Sequence, residues 1–448
     1  MGKRVRIGVF GHYGHLNLGD EAIIAALLQS IRRRRPDAEI CAFSDNPEDT
    51  QYRHQVVAFP IKRQAFVPGV SDNVAAPART HSGNDQAVWR RFKGWLREVP
   101  VLGRLLLESR AVVSLPGIAW EELKFLPKAF RSLRGIDLLI VAGSNQFLDN
   151  WGGTWGYPYD LLKWSILTKL AGAKLAFVSV GAGPIDRAPS KMMIRTALFL
   201  SDYTSYRDEA SRRLIETLGF RRGGAVYPDL AYSLSLEDGL GNATAQMATG
   251  RRPTVGINAM AKYDGRYLCY SDELTYQRYV ASLATFSARL IREGYPFFFF
   301  NTQVRDDDEA FHDVWRRLRA EFGESAPREQ LFRRSHSVSE LMTTLASADL
   351  VVATRFHGTV LALLAERPVL ALCYYRKAQD LMGEMGQAEY AVKLEDFDVE
   401  DGWRRFKTLE RNRIVEQEKI RMKIVAYREA LDHQYAHVLR QLLPAVGH

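Results

Sequence analysis

Two side chains that could bind and protonate an anion, Arg355 and His357, stand two residues apart between two apolar runs. The short run 350–352 before them and the longer run 360–364 after them are typical of a strand, a turn and a helix. Strand ends in open parallel sheets bind ligands, and a helix N-terminus favours anions. The pattern therefore predicts an anion site with a permanent cation and a group that titrates near neutral pH. The alternative is structural: Arg355 pairs with a carboxylate and His357 packs against the next strand.

A glycine-rich stretch near the start of the chain has the same arrangement. Residues 11–21 contain three glycines and separate the strand-like run 4–10 from the apolar run 22–28. Asp20 and Glu21 fall in the first turn of the predicted helix, where acidic side chains are stabilising. A strand, a glycine-rich turn and a helix can hold a phosphate, although neither a Walker sequence nor dinucleotide-type glycine spacing is present. A tight turn that only positions the helix remains the alternative.

Strand and helix patterns alternate through most of the chain, which predicts an α/β protein with parallel, doubly wound sheets. A chain of 448 residues exceeds one ordinary core, so two domains are expected. The predicted units are an N-terminal Rossmann-like domain at 1–233 with an insertion at about 61–135, a linker at 234–252, a C-terminal Rossmann-like domain at 253–397, and a helical segment at 398–448.

The predicted insertion contains a basic amphipathic stretch at residues 88–110. It carries six basic and two acidic side chains, a net charge of 6 − 2 = +4, and its apolar residues recur at helical spacing. One interpretation is a helix that docks on a membrane surface or a partner. The other, which we favour, is an inserted helix that packs on its own domain.

Composition narrows the class of protein. A hydrophobic content of 46% is that of a globular protein, and no stretch approaches the ~20 apolar residues of a transmembrane helix. Three distant cysteines (Cys41, Cys269 and Cys373) suggest neither a disulfide framework nor a metal knuckle, and they fit a reducing compartment. With no signal-peptide pattern at the start, we expect a cytoplasmic protein, with the inner face of the membrane as a further location. The net charge of +9 favours an anionic partner.

The chain resembles the polysaccharide pyruvyl transferase family in five motifs, which occur in the same order as in the family. They are Asn17-Leu18-Gly19-Asp20-Glu21-Ala22-Ile23, Ala142-Gly143-Ser144 through Asp149, Tyr206-Arg207-Asp208-Glu209-Ala210-Ser211, Pro228-Asp229, and Thr354-Arg355-Phe356-His357-Gly358. Tyr374, Tyr375 and Lys377 also match a Tyr-x-x-Lys stretch of the family. The resemblance covers most of the chain apart from about 61–135. The departures are Ser144, where a further glycine is common, and Phe356, where leucine is commoner.

This resemblance implies a GT-B-type arrangement of two domains. It implies an enzyme that moves the pyruvyl group of phosphoenolpyruvate onto a sugar of a cell-surface polysaccharide or its precursor, forming a ketal. The acceptor would be a glycan or a lipid-linked sugar, with no nucleic-acid partner. Phosphoenolpyruvate would be the donor substrate, with no further cofactor. No site in the sequence has the ligand spacing of a metal cage, so we expect no obligatory metal. By resemblance, the donor-binding positions are Arg207, Arg355, Phe356 and His357.

The chemistry of ketal formation suggests roles for these residues. Phosphoenolpyruvate carries a phosphate and a carboxylate, which suit two guanidinium groups. Its methylene carbon must gain a proton and each attacking hydroxyl must lose one, so His357 is the candidate acid and Asp20 or Asp229 the candidate base. The predicted substrate-binding set is Arg207, Arg355, Phe356, Gly19, Gly143, Ser144, Gly181, Gly183, Tyr374 and Lys377.

Two other functions fit the same architecture, because a fold does not fix a function. One is a GT-B-type glycosyltransferase that uses a nucleotide sugar, for which Glu366 or Glu384 could bind the ribose. The other is a non-catalytic phosphosugar-binding protein of a polysaccharide assembly, docked on a membrane through residues 88–110.

Overall fold

The structure is a computed structural model of the chain, and it describes residues 4–63, 120–222, 224–235, 251–261, 272–304, 306–323 and 331–444. The stretch 88–110 and most of the predicted linker lie outside these residues. The last part of the predicted insertion is a helix at residues 120–133.

The first half of the chain forms a parallel sheet of seven strands in the order β3-β2-β1-β4-β5-β6-β7. Its central strands are continuous apolar runs because helices cover both faces; Leu138–Ala142, for example, is buried at every position. The strands are β1 (Arg6–Phe10), β2 (Glu39–Ser44), β3 (Val57–Pro60), β4 (Leu138–Ala142), β5 (Lys174–Val180), β6 (Tyr203–Tyr206) and β7 (Ala225–Val226).

Helices alternate with these strands. They are α1 (Leu18–Arg34), α2 (Pro47–His54), α3 (120–133), α4 (Tyr157–Leu170), α5 (Ala188–Leu200) and α6 (Glu209–Thr217). The helix α1 begins at Leu18 because the Asn17 side chain accepts a hydrogen bond from the Gly19 backbone N–H, at 3.1 Å. Asp20 and Glu21 fall in its first turn, as predicted.

The second half forms a parallel sheet of six strands in the order β10-β9-β8-β11-β12-β13. Its strands are β8 (Val255–Asn258), β9 (Phe297–Phe300), β10 (Phe332–Arg333), β11 (Leu350–Ala353), β12 (Val369–Cys373) and β13 (Ala391–Lys393). Its helices are α7 (Glu273–Arg292), α8 (Asp306–Phe322), α9 (Val338–Ala346), α10 (Phe356–Leu364) and α11 (Arg376–Glu384). Strand order reverses between β1 and β4 in the first sheet and between β8 and β11 in the second.

Backbone hydrogen bonds join the loop after β9 to the loop before α1. The Leu18 N–H donates to the Thr302 carbonyl at 2.8 Å, and the Val304 N–H donates to the Leu16 carbonyl at 3.1 Å. The Gln303 side chain adds a bond to the His15 carbonyl at 3.0 Å. The carboxyl ends of the two sheets therefore face each other across a cleft that these loops bridge.

A long helix, α12 (Val399–Leu442), packs on both halves of the molecule. Its first part packs Trp403 against Phe286 of α7. Its last part buries Gln434 completely, where the side-chain amide accepts from Ser179 and donates to Ser205, both in the first sheet. In the part of the chain that the structure describes, no helix is long and apolar enough to cross a membrane.

Replacing Gln434 with Ala should destabilise the fold. The change removes the amide partner of the buried Ser179 hydroxyl, and an unsatisfied buried group costs about 1–3 kcal/mol. The Ser205 hydroxyl loses one bond but keeps those to the Ser179 N–H and the Phe177 carbonyl. Chemical denaturation followed by circular dichroism measures the loss. Gln441→Ala on the exposed face of the same helix is the control, and equal midpoints for the two variants would contradict the prediction.

Candidate functional site

The candidate site lies where the reversal point of one sheet faces that of the other. Loops that leave strands in opposite directions at a reversal point open a crevice, and ligands of open α/β sheets bind there. In the first sheet these loops follow β1 and β4, and in the second they follow β8 and β11. The predicted motifs at 17–23, 142–149 and 354–358 all fall on or beside them.

Gly19 and His357 bring the N-terminal ends of α1 and α10 together. A Cβ atom built on Gly19 would lie 2.0 Å from Cγ of His357, so no larger residue fits without displacing the imidazole. Nε2 of His357 is buried and has no hydrogen-bond partner among the described residues. An unpaired buried polar atom is costly, so this nitrogen is suited to a bound ligand.

Asp20 lies beside His357 and bonds to Ser144. The Ser144 hydroxyl donates to the Asp20 carboxylate at 2.8 Å. Burial raises the pKa of Asp20, while the neighbouring His357 and the Ser144 hydrogen bond oppose that shift. Ser144 holds a left-handed backbone conformation (φ 56°), which fits a position where glycine is common.

Arg207 is 6% exposed and bonds to the carboxylate of Asp229 at 3.2 Å. Its guanidinium carbon also lies 4.8 Å from the centre of the Phe356 ring, across the cleft. Burial would lower the pKa of Arg207, but the carboxylates of Asp229 and Asp208 outweigh it and the pKa is raised. Gly181 permits this packing, because a Cβ there would lie 2.9 Å from the guanidinium.

Arg355 is the N-cap residue of α10, and its Nε donates to the carboxylate of Asp307. Asp307 is buried and also accepts the backbone N–H groups of Thr302, at 2.7 Å, and Gln303, at 3.0 Å. The structural alternative, a carboxylate partner for Arg355, is therefore observed. One carboxylate thus fixes both the arginine and the loop that docks on the first domain.

Lys377 lies at the first turn of α11, and its ammonium donates to the side-chain oxygen of Asn145 in the loop after β4. Burial and the nearby Arg207 lower the pKa of Lys377 to about 7, against the opposing effect of Asp208. The preceding Tyr374 and Tyr375 lie with ring centres 4.3 Å apart. Burial raises the pKa of Tyr374, and the charges of Arg355 and Arg207 oppose that shift.

The remaining predicted residues support the loops. Gly143 (φ 28°) lies against Ile23 and Leu230, which makes its role one of packing. Gly183 accepts a bond from the Asn145 side chain through its carbonyl, at 2.9 Å.

The two glutamates considered for a ribose lie apart from the helix N-termini. Glu366 comes after the C-terminal end of α10, and Glu384 ends α11 and bonds to Tyr427.

Sequence reasoning missed Asp307, Asn258 and Asn145. Asn258 ends β8 and accepts the Arg355 backbone N–H at 3.0 Å. The sequence did offer a signal for both asparagines, since Asn258 ends a predicted strand and Asn145 lies in the loop that follows another. Asp307 stands in an acidic triplet at the start of a helix, which resembles ordinary helix capping. The described residues contain no group of three or more His, Cys, Asp or Glu side chains placed to hold a metal.

The site as a whole gathers Arg207, Arg355 and Lys377 with two helix N-termini, and each arginine is oriented by a buried carboxylate. Such an arrangement suits a small ligand that carries two anionic groups. An imidazole (His357) and a carboxylate (Asp20), which are side chains of the kind used in general acid–base catalysis, lie beside each other at the same point.

Comparison with known proteins gives a family and a fold. A family model described as polysaccharide pyruvyl transferase matches residues 17–375. Among solved structures, the chain is similar to UDP-GlcNAc 2-epimerase from Neisseria meningitidis bound to UDP-GlcNAc, with a TM-score of 0.55 and 11% identity, covering 97% of this chain and 99% of that one. It is also similar to UDP-GlcNAc 2-epimerase from Methanocaldococcus jannaschii, with a TM-score of 0.52 and 10% identity over 90% and 91% of the two chains.

A third similar structure is the N-terminal domain of trehalose-6-phosphate phosphatase from Candida albicans, with a TM-score of 0.53 and 10% identity over 98% of this chain and 99% of that one. At these identities the likeness shows the fold alone. The predicted fold class, two Rossmann-like domains in a GT-B-type arrangement, is confirmed.

Lys377 should titrate near neutrality and respond to a bound anion. Because its pKa is lowered to about 7, the reactive neutral amine should appear as the pH rises through that value. Inorganic phosphate should move the midpoint upward, since a nearby anion stabilises the ammonium. Competitive acetylation between about pH 6 and 9, read by mass spectrometry with the exposed Lys174 as internal reference, measures both effects. Identical pH profiles for the two lysines would contradict the prediction.

Proposed function

The chain belongs to the polysaccharide pyruvyl transferase family, and from that premise we propose that it transfers the pyruvyl group of phosphoenolpyruvate to a sugar, forming a ketal. The acceptor is a glycan or a lipid-linked sugar of a cell-surface polysaccharide or its precursor. The proposal makes phosphoenolpyruvate the donor substrate and requires no further cofactor.

The observation that carries the proposal is that each domain contributes one arginine, already paired with a buried carboxylate, to the same cleft. Arg207, from the first domain, lies over the ring of Phe356, and Arg355 precedes that ring in the second. Phosphoenolpyruvate has a phosphate and a carboxylate on adjacent positions of a three-carbon unit. Two planar guanidinium groups, each already oriented by a carboxylate, suit such a ligand, and the helix N-termini add N–H donors.

In the proposed reaction, His357 delivers a proton to the methylene carbon of the donor. The first acceptor hydroxyl then bonds to the central carbon and loses its proton, and the bond from that carbon to the phosphate oxygen breaks. The second hydroxyl bonds to the same carbon and loses its proton, which completes the ketal. One hydroxyl proton balances the new methyl hydrogen and the other leaves with phosphate or solvent. Arg207, Arg355 and Lys377 stabilise the departing phosphate.

The hydrogen bonds of the two candidate carboxylates support the proposal that Asp20, rather than Asp229, is the base. Both oxygens of Asp229 are occupied, one by Arg207 and the other by the Ala231 backbone N–H at 3.0 Å. Within the described part of the chain, Asp20 accepts one side-chain hydrogen bond, from Ser144, and it lies beside His357. We therefore propose that Asp229 orients the donor arginine while Asp20 takes the hydroxyl proton.

The direct test is phosphate release from phosphoenolpyruvate with a panel of p-nitrophenyl pyranosides and short glycans, with the ketal identified by mass spectrometry. UDP-sugars offered to the same acceptors test the nucleotide-sugar alternative. Acceptor-dependent phosphate release supports the proposal. Sugar transfer from a UDP-sugar, with phosphoenolpyruvate inert and unbound, would overturn it.

The variant His357→Gln should keep most donor affinity and lose turnover by roughly 10²-fold or more, as expected for a general acid. Glutamine can still donate a hydrogen bond to the donor, but it cannot deliver a proton. Calorimetry gives the affinity for phosphoenolpyruvate and steady-state phosphate release gives turnover. Near-normal turnover in this variant would restrict His357 to positioning.

The variant Arg355→Lys should show the opposite pattern. Lysine cannot bond to Asp307 through Nε and present the rest of a planar guanidinium to the donor, so donor binding should weaken by about 1.5–3 kcal/mol, the contribution of a hydrogen bond to a charged group. The same calorimetric titration measures it. Arg334→Lys, which changes an exposed arginine of the second domain, is the matched control. Unchanged donor affinity in Arg355→Lys would remove Arg355 from the donor site.

A further inference from the structure

The loop between β4 and α4 begins at the part of the cleft proposed to bind phosphoenolpyruvate, which is called the donor pocket and is lined by Arg207, Arg355 and Lys377. The loop ends with two exposed indoles. Trp151 is 51% exposed and Trp155 is 72% exposed. Ser144 and Asn145 stand at the start of the same loop, where they bond to Asp20 and Lys377. Tryptophan is largely buried on average, and exposed apolar surface beside a functional site marks an interaction.

The loop holds these indoles on a rigid frame. The carboxylate of Asp149, which is buried, accepts the backbone N–H groups of Asp186, at 3.1 Å, and Arg187, at 2.8 Å. The Asp149 N–H in turn donates to the Pro184 carbonyl at 3.1 Å. Trp155 also packs edge-on against Tyr159, with ring centres 5.6 Å apart. A fixed aromatic surface loses little conformational freedom when it binds a ligand.

The segment that supports this frame also borders the donor pocket. The Asn145 side chain donates to the Gly183 carbonyl at 2.9 Å, one residue before Pro184. At the other end, the Arg187 guanidinium lies over Gly153, where a Cβ atom would be 2.3 Å from Nη1. Residues 183–187 therefore connect the Asn145 amide beside Lys377 to the part of the loop that carries the tryptophans, which places the whole loop on the first-domain side of the cleft.

From this continuity we propose that Trp151 and Trp155 form a subsite that holds the acceptor glycan, with its pyranose rings stacked on the indoles. A pyranose has an apolar face of C–H groups and a polar rim of hydroxyls, so an indole covers the face while polar groups bind the rim. The guanidinium of the exposed Arg187 lies over Gly153, which stands between the two tryptophans in the sequence. It supplies a cation for hydroxyl or carboxylate oxygens of the glycan. The inference rests on the proposed function, because it assigns the place of that reaction's acceptor.

The test compares Trp151→Ala and Trp155→Ala with the parent enzyme in the phosphate-release assay, using the p-nitrophenyl pyranoside that gives the highest rate. Each variant should raise the KM for the glycoside roughly 10- to 30-fold, the size expected for a central tryptophan in an interface. The kcat and the calorimetric affinity for phosphoenolpyruvate should stay within about twofold, because neither indole belongs to the donor pocket. Trp155→Phe, which keeps an aromatic face, should restore part of the loss.

Tyr52→Ala is the matched control, since Tyr52 is 79% exposed on α2 of the same domain. A second readout, saturation-transfer NMR of the same glycosides on unreacted protein, detects glycan binding without turnover, so it separates a failure of this inference from a failure of the proposed reaction. Loss of the transfer signal in both variants, with Tyr52→Ala unaffected, supports the subsite. An unchanged KM and an unchanged transfer signal would overturn it. Variants that keep both but no longer sediment with anionic phospholipid vesicles would also overturn it, because the indoles would then bind a lipid surface.

Discussion

The contact between Gly19 and His357 brings the N-terminal ends of α1 and α10 together, and the charge arrangement of the whole site follows from it. Two positive dipole ends meet in one cleft, beside Arg207, Arg355 and Lys377. So much positive charge in a partly buried space is unfavourable unless it is offset. The offset comes from the carboxylates, since Asp229 pairs with Arg207, Asp307 pairs with Arg355, and Asp208 lies near both Arg207 and Lys377. Burial, and to a smaller extent the charge of Arg207, still lower the pKa of Lys377, although Asp208 opposes the shift.

Each pairing also fixes geometry. A carboxylate that binds one edge of a guanidinium orients its plane before any ligand arrives, so less reorganisation is required when an anion binds. Asp307 extends this control across the cleft, because the same side chain holds the Thr302 and Gln303 N–H groups of the loop that docks on residues 15–18. The position of the second-domain arginine is therefore coupled to the docking of the two domains.

The sequence predicted those features that depend on local pattern. The apolar run Leu138–Ala142 was predicted to be a buried strand because it is short and is followed by a glycine. A short apolar run ending before Thr354-Arg355 placed the arginine just after a strand end. Partners contributed by distant segments were not predictable in this way. Asp307 lies 48 residues from Arg355, and its acidic triplet has the appearance of a helix cap. The two interpretations of Arg355 were also not exclusive, since the structural carboxylate and an anion can occupy different edges of one guanidinium.

Ser144 stands where a further glycine is common in the family, and its hydrogen bond gives this departure a physical explanation. Residue 144 has a left-handed backbone conformation, which glycine would adopt at a lower cost in free energy than serine. A favourable interaction of the serine side chain must therefore offset this strain. It donates to Asp20, whose pKa is raised by burial and by the neighbouring carboxylates of Glu21 and Asp229. A hydrogen bond to the charged form lowers that pKa again. Ser144 therefore favours the carboxylate form of Asp20, which is the form that the proposed base requires.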